Sequence, residues 1–598
     1  MKSKTTIVWF LFAVILAGAI WLSDKFFQPA TLAEQPLFPG LLANQVTGIQ
    51  IIPAGGRAIN VGRTNHAWLL ETPIAYPAQA AAIDGLLAAL EKLTPVMTIS
   101  AAEMSGRKNA DAEFGFTDPQ YQLEVAGGAQ TWRLVVGNKT APGDGVYVRV
   151  KGADGAQVTD TAWLQFLPHD ASDWRDTTLV EVPAALDWLV VTNGTQAIEL
   201  RRDPASHLWR MVRPLQTRAN NLSIATALQQ LRAASVSRFI SDDPKADLSP
   251  YGLDAPTLGI SLGCGTNLVT AIYAGGDVTG APGELYARRQ GWNTVVSTAK
   301  APLASWRGAV NDFRNPNLLE LTAPVAEVEV DGDNGNFILQ RSGSNTWSLA
   351  GEKFAVDGSQ VAAFIKTLAG LRIVDFVQDV VTPSGWQNFG LARPSQQITL
   401  RSAVGDTNKV IAQLLFGAST TNGIIYVKRG DEDFVYALSL ANLNQLSVPG
   451  DFYRDHRVWS FSETNVASVT LRQSGKIRQL IRTGTNDWSL AAGSQGIINP
   501  PAVEEAIHRL GSLTALAWIG RKFTNADVGL TTNSLSVTIE LKSGEKYAVD
   551  FGKEVRVPSL NASTALATVT LEGQRWALVF PPVLCPLVAE YLTIPDAQ

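Results

Sequence analysis

One block of sequence occurs four times along this chain, and that repetition limits the fold to a tandem array. Its clearest mark is a tryptophan with an apolar residue two positions on: Trp68-Leu69-Leu70, Trp209-Arg210-Met211, Trp347-Ser348-Leu349 and Trp488-Ser489-Leu490. Steps of 141, 138 and 141 residues separate the four tryptophans. A second mark is a glycine after an aromatic or apolar residue, at Gly115, Gly252, Gly390 and Gly529, with steps of 137, 138 and 139. A fixed period is the signature of one supersecondary unit repeated. Units of this length are long enough to close a core of their own. The expected organisation is a hydrophobic segment over 1–23, a linker over 24–44, and repeats over 45–182, 183–321, 322–462 and 463–598, the last with an atypical end.

Each repeat opens on a short β pattern, Val46 to Ile51 in the first copy, followed by a second alternation. A third strand carries the tryptophan. Alternate side chains share a strand face, so the tryptophan and its +2 partner are expected to point together into the core. A helix follows, with stripes Ile83-Leu86-Leu87-Leu90-Leu93, Ile224-Ala227-Leu228-Leu231-Ala234, Val361-Phe364-Ile365-Leu368-Leu371 and Val503-Ala506-Ile507-Leu510-Leu513. The shared offsets of 0, 3, 4, 7 and 10 trace one helix face. Asp357 with Gln360 has the spacing of a capping box, and Asn499 precedes Pro500 as an N-cap. The marker glycines are expected to supply left-handed turns at helix ends. A hairpin comes next, then a strand bearing Tyr147, Tyr286 or Tyr426. The pattern predicts an α+β class: a transmembrane helix, then four homologous repeats, each a mainly antiparallel sheet packed by one helix.

Three repeats end on an aromatic-arginine pair: Trp174-Arg175, Phe313-Arg314 and Tyr453-Arg454. The fourth has no arginine ending and no repeat after it. That correlation makes Arg175, Arg314 and Arg454 candidate inter-repeat contacts, with guanidinium groups satisfying carbonyls at each junction. The alternative is that each binds a carboxylate or phosphate.

At the N-terminus, Lys2 and Lys4 precede an uncharged run from Thr5 to Leu22, closed by Asp24 and Lys25. A helix of that length reaches about 27 Å, nearly a bilayer core. Trp9 and Trp21 fall towards its ends, where interfacial aromatics anchor a span. The expectation is a single-pass signal-anchor in the inner membrane, N-terminus cytoplasmic and bulk extracytoplasmic. A cleaved signal peptide ending at Ala17-Gly18-Ala19 is the competing reading. The prolines at 29, 36 and 39 suggest a semi-extended spacer.

Chemistry is harder to find. There is no HExxH, nucleophile elbow, Walker loop or complete dinucleotide fingerprint. Five histidines are scattered without metal-ligand spacing. Asp331 to Asn336 starts like a calcium loop, but its twelfth position is Ser342 rather than Glu, so a hairpin turn is preferred. Cys264 and Cys585 are expected to be unpaired thiols. With a net charge of −5 and no concentrated basic face, the chain does not look like a nucleic-acid binder. No catalytic residue, cofactor or metal is expected.

Taken together, the N-terminal run, the Trp-x-Leu strand, the Leu-rich helix, Tyr251-Gly252-Leu253-Asp254-Ala255-Pro256 and the Arg-Asp ending resemble the bacterial envelope family called domain of unknown function 4340. The resemblance covers nearly all of residues 45–598. It implies a gene neighbourhood with an ABC transporter of the gliding-motility type and an auxiliary extracytoplasmic subunit. The functional expectation is therefore a non-enzymatic, membrane-anchored scaffold or accessory subunit, with the lipid bilayer and an ABC-type permease as partners. A binding module for cell-wall glycan or peptide is the alternative, and an envelope hydrolase a more distant one.

Overall fold

The computed structural model describes residues 35–592, apart from 66, 129, 322, 334, 405–406 and 443–445, together with Phe12, Val14 and Leu16. The chain forms two compact units, divided between Phe313 and Arg314.

The first unit holds two sheets of nine strands with the same topology. In the first sheet the strands are β1 (Val46–Pro53), β2 (Ile59–Thr64), β3 (Ala67–Thr72), β4 (Tyr76–Pro77), β5 (Met97–Ile99), β6 (Tyr121–Gly127), β7 (Gln130–Lys139), β8 (Gly145–Val150) and β9 (Ala156–Asp160). Their spatial order is β4-β3-β2-β1-β6-β7-β8-β9-β5, antiparallel throughout. The chain thus leaves one edge at β4 and rejoins the sheet at the other edge at β5. The helix Ala80–Glu91 lies within that crossing. Its stripe residues Ile83, Leu86, Leu87 and Leu90 are buried in one cluster with Ile49, Ile51, Leu123, Val136 and Val148 from the central strands. The second sheet, from Trp188–Asn193 to Val295–Ala299, repeats this order around the helix Asn221–Ala233.

The second unit holds two sheets of eight strands, each lacking the short β4 equivalent. Their helices are Gly358–Ala369 and Pro500–Gly511. Asp357 caps the first through Ser359 N at 2.9 Å. Gln360 does not close the expected capping box; its Nε2 lies 2.6 Å from His456 Nε2 instead. Asn499 caps the second through Ala502 N, with Pro500 at the first turn. One hydrophobic cluster runs through both sheets of this unit, whereas the first unit keeps a separate cluster for each sheet.

Two expectations are corrected. The described residues form mostly antiparallel sheet, in four sheets of eight or nine strands, where a transmembrane helix followed by α+β repeats was expected. The longest helix of each repeat has only 12 or 13 residues, against hairpin strands as long as Thr407–Ser419. No helix among the described residues is long and apolar enough to cross a membrane; twelve residues reach about 18 Å, short of a core of about 30 Å. The segment 1–23, with Trp9 and Trp21, lies outside the described residues except for Phe12, Val14 and Leu16. The spacer expected over 24–44 is also partly packed. Leu37, Phe38 and Leu41 are buried in the first core, because apolar area this close to the sheet gains more from burial than an extended linker would.

Candidate functional site

Three constructions occur in more than one repeat. The first is built on the marker tryptophans. Trp68, Trp209, Trp347 and Trp488 are all buried, between 3% and 8% exposed. Over each ring lies an arginine from the end of the second strand: Arg63 at 5.1 Å, Arg202 at 5.1 Å, Arg341 at 5.8 Å and Arg482 at 4.5 Å from the ring centroid. A cation over an indole face is attracted by the ring quadrupole. In the first and fourth repeats a helix carboxylate completes the cleft. Trp68 Nε1 donates to Asp84 at 3.0 Å, and Trp488 Nε1 to Glu504 at 3.0 Å. Sequence reasoning missed these arginines, although their steps of 139, 139 and 141 match the tryptophan period. A charged residue at an exposed strand end looks like ordinary surface.

The second construction explains the marker glycines. Gly115, Gly252, Gly390 and Gly529 all have φ between 64° and 80°. The carbonyl just before each one meets a second glycine in the long hairpin strand. A Cβ on Gly137 would stand 2.0 Å from Phe114 O, on Gly275 2.1 Å from Tyr251 O, on Gly417 2.2 Å from Phe389 O, and on Gly552 2.0 Å from Val528 O. Each lies where the ladder to the next strand shifts register. The residue before the marker glycine also packs on the recurrent tyrosine: Phe114–Tyr147, Tyr251–Tyr286 and Phe389–Tyr426, with centroids 4.6 to 5.0 Å apart. In the fourth repeat Val528 and Leu566 form the corresponding apolar cluster. These contacts hold a turn against a bulge.

The third construction joins repeats within each unit. The aromatic of the ending turns into its own core, and its carbonyl accepts from the helix N-cap: Gln79 N to Trp174 O and Asp357 N to Tyr453 O, both 2.8 Å. The arginine after it turns the other way. Arg175 is 2% exposed and pairs bidentately with Asp242 of the second repeat, at 2.5 and 3.1 Å. Its guanidinium lies 4.5 Å from the Tyr76 centroid and 3.7 Å from that of Phe239. Thr294 donates to the same carboxylate at 3.0 Å. A return pair runs from Arg289 to Asp176 at 3.2 Å. Backbone bonds stitch the segment to both sides, Asp176 N to Pro77 O and Leu179 N to Ala234 O.

In the second unit Arg314 pairs with Asp379 at 2.6 Å and covers Phe376 at 4.0 Å. Arg454 lies between Phe354, Trp518 and Trp576, at 4.9, 5.3 and 4.4 Å, and reaches Glu572 at 3.3 Å. The guanidinium groups therefore meet carboxylates and aromatic faces, where backbone carbonyls were expected. Desolvated guanidinium prefers a planar bidentate partner and a ring to stack on.

The receiving half was also missed. It is an aromatic with a polar residue three positions later, after each later helix: Phe239 with Asp242, Phe376 with Asp379, Trp518 with Arg521. The fourth repeat reverses the charge. Arg521 takes Asp451 and Glu352 of the third repeat, both at 2.7 Å. The Asp451 hydrogen bond, followed by that of Glu352, holds its pKa above the ordinary arginine value. The first repeat, with nothing before it among the repeats, has Thr98 and Ala101 there, both exposed.

Tyr76 sits fully buried in the first junction, and burial pushes its phenol pKa up against the pull of Arg289 and Arg175. The folded phenol keeps its proton where the unfolded one loses it. Its contribution is whole below about pH 10 and declines as pH rises further. The hydroxyl finds no hydrogen-bond partner among the described residues. Tyr76→Phe is therefore expected to be unchanged or up to about 1 kcal/mol more stable at neutral pH. It should also resist alkali better, as thermal melts from about pH 7 to 11 would report. A loss of stability at neutral pH would contradict this account of the hydroxyl.

Cys264 and Cys585 are free thiols. Among the described residues no group of three or more His, Cys, Asp or Glu is placed to hold a metal ion. The model of a family described as Domain of unknown function (DUF4340) matches residues 68–207, 209–384 and 347–533. Each match begins on a marker tryptophan and runs through the junction that follows it. No curated protein matches the chain.

Proposed function

Since this chain belongs to the DUF4340 family, we propose that it is a non-enzymatic extracytoplasmic scaffold, an accessory subunit working beside an ABC-type transport complex. The observation that supports the scaffold reading is the buried junction. Arg175 in the first unit and Arg454 in the second tie consecutive repeats together through stacked, charge-paired side chains. Repeats fixed in this way present their surfaces at set spacings, which is what a protein needs in order to hold several partners at once. The family resemblance supplies the partner class. Its chemistry would be a permease or its associated envelope subunits rather than a soluble substrate.

The test is co-purification. The full chain, recovered from native membranes in mild detergent after brief cross-linking, is expected to bring an ABC-type permease with it. Recovery alone, under conditions in which known transporter complexes survive, overturns the reading.

A further inference from the structure

The four tryptophan clefts differ at one helix position. One residue after the first stripe residue stands Asp84 in the first repeat and Glu504 in the fourth, but Ala225 in the second and Ala362 in the third. In the fourth repeat the Glu504 carboxylate is complete in its contacts. It accepts from Trp488 Nε1 at 3.0 Å, and Arg482 holds both of its oxygens, Nη2 to Oε2 at 3.0 Å.

In the third repeat the receiving groups remain and the carboxylate is gone. Arg341 still covers Trp347. Its guanidinium donates from Nη2 to Ser344 O. Where the acid stood, a cavity of about 550 Å³ opens, lined by Arg341, Trp347, Asn345, Ser359, Ala362 and Lys366 among others. Two cations line this space, and none of the described residues lining it is a carboxylate. Asn345 and Ser359 add neutral polar groups, and Ile365 and Val325 add apolar wall.

We infer that the third-repeat cleft binds a carboxylate from outside the chain, seated as Glu504 is seated in the fourth repeat. Arg341 pairs with its oxygens and Trp347 Nε1 donates to one of them. Lys366 adds a second positive charge. Charge-assisted bonds of this kind are the strong ones. The carboxylate can arrive as an acidic side chain or as a chain terminus. The inference stands on the cleft alone and does not require the scaffold reading.

The experiment uses the full chain, with the tryptophan indole N–H groups followed by NMR and the Trp347 signal assigned through Trp347→Phe. Three probes are compared: N-acetylglutamate α-amide, N-acetylalanine, and N-acetylglutamine α-amide, which lacks a carboxylate. A saturable shift of the Trp347 indole with either acid, and none with the glutamine analogue, is expected; whichever acid acts identifies the source. Arg341→Gln should weaken that response by about tenfold or more. A second variant protects the test from a folding failure. Ala362→Glu restores the tethered acid; it should move the same indole signal without ligand and abolish the response to added acid, whereas Ala362→Gln should do neither. Equal response to all three probes, no response to any, or an unaltered response in Ala362→Glu overturns the inference.

Discussion

Arg175→Ala is expected to loosen the first unit by about 3 kcal/mol, the low end of the cost of removing one partner from a buried pair. The low end applies because Asp242 keeps 28% side-chain exposure and can recruit water. The loss has two parts. Asp242 and Thr294 lose their cationic partner, and Tyr76 and Phe239 lose the plane between their rings. Arg175→Lys separates the two. An ammonium keeps the charge but neither the fork nor the stack, so little of the loss should be recovered. Arg175→Met with Asp242→Leu removes both charges, keeps the volume and should recover most of it. Local opening free energies from amide exchange over residues 175–179 and 234–241 read the effect without requiring the whole chain to unfold in one step. A change below about 0.5 kcal/mol in Arg175→Ala would mean that the junction is ornamental, since surface substitutions already span that range.

Gly137→Ala should be at least as damaging, by about 3 kcal/mol or more, for a steric reason alone. The new methyl carbon would stand 2.0 Å from Phe114 O. That oxygen is backbone and already accepts from Asn138 N at 2.8 Å, so it cannot step aside without breaking the turn. Gly128 is the control. It has φ of 57° but nothing within 4 Å of a new Cβ. Gly128→Ala therefore meets only the left-handed penalty, about 1 kcal/mol. Thermal melts of the full chain should separate the two variants clearly. If both cost the same, the glycine-on-carbonyl contact is not what fixes the long strand's bulge.

Periodicity made the repeats, the marker tryptophans and the helix stripes legible. Those signals come from core burial, and burial recurs wherever the core recurs. Even there the match has limits: Ile365 of the third stripe is only partly buried, against an open cavity. The full extent of each sheet, eight or nine strands, was not legible. One helix with four copies of a clear stripe drew attention away from strands whose alternation breaks at bulges, such as the shift between Phe551 and Glu554. The junction partners were harder still. Phe239-x-x-Asp242 and Phe376-x-x-Asp379 share a pattern, but the fourth copy puts Arg521 where the acid belongs, so a search for identity misses it. The cleft arginines kept both type and period, and counting charged positions as well as apolar ones would have found them.

The reversed charge at Arg521 has a consequence for evolution and for engineering. A permuted chain in which the fourth module follows the second would strip Arg521 of both acids it pairs with, because the second module has Asn311 three residues before its ending arginine where the third has Asp451; a cation left unpaired in a partly desolvated seam is costly. Shuffling by duplication or recombination is therefore penalised at that boundary, and the succession of modules is written into the sign of a single side chain.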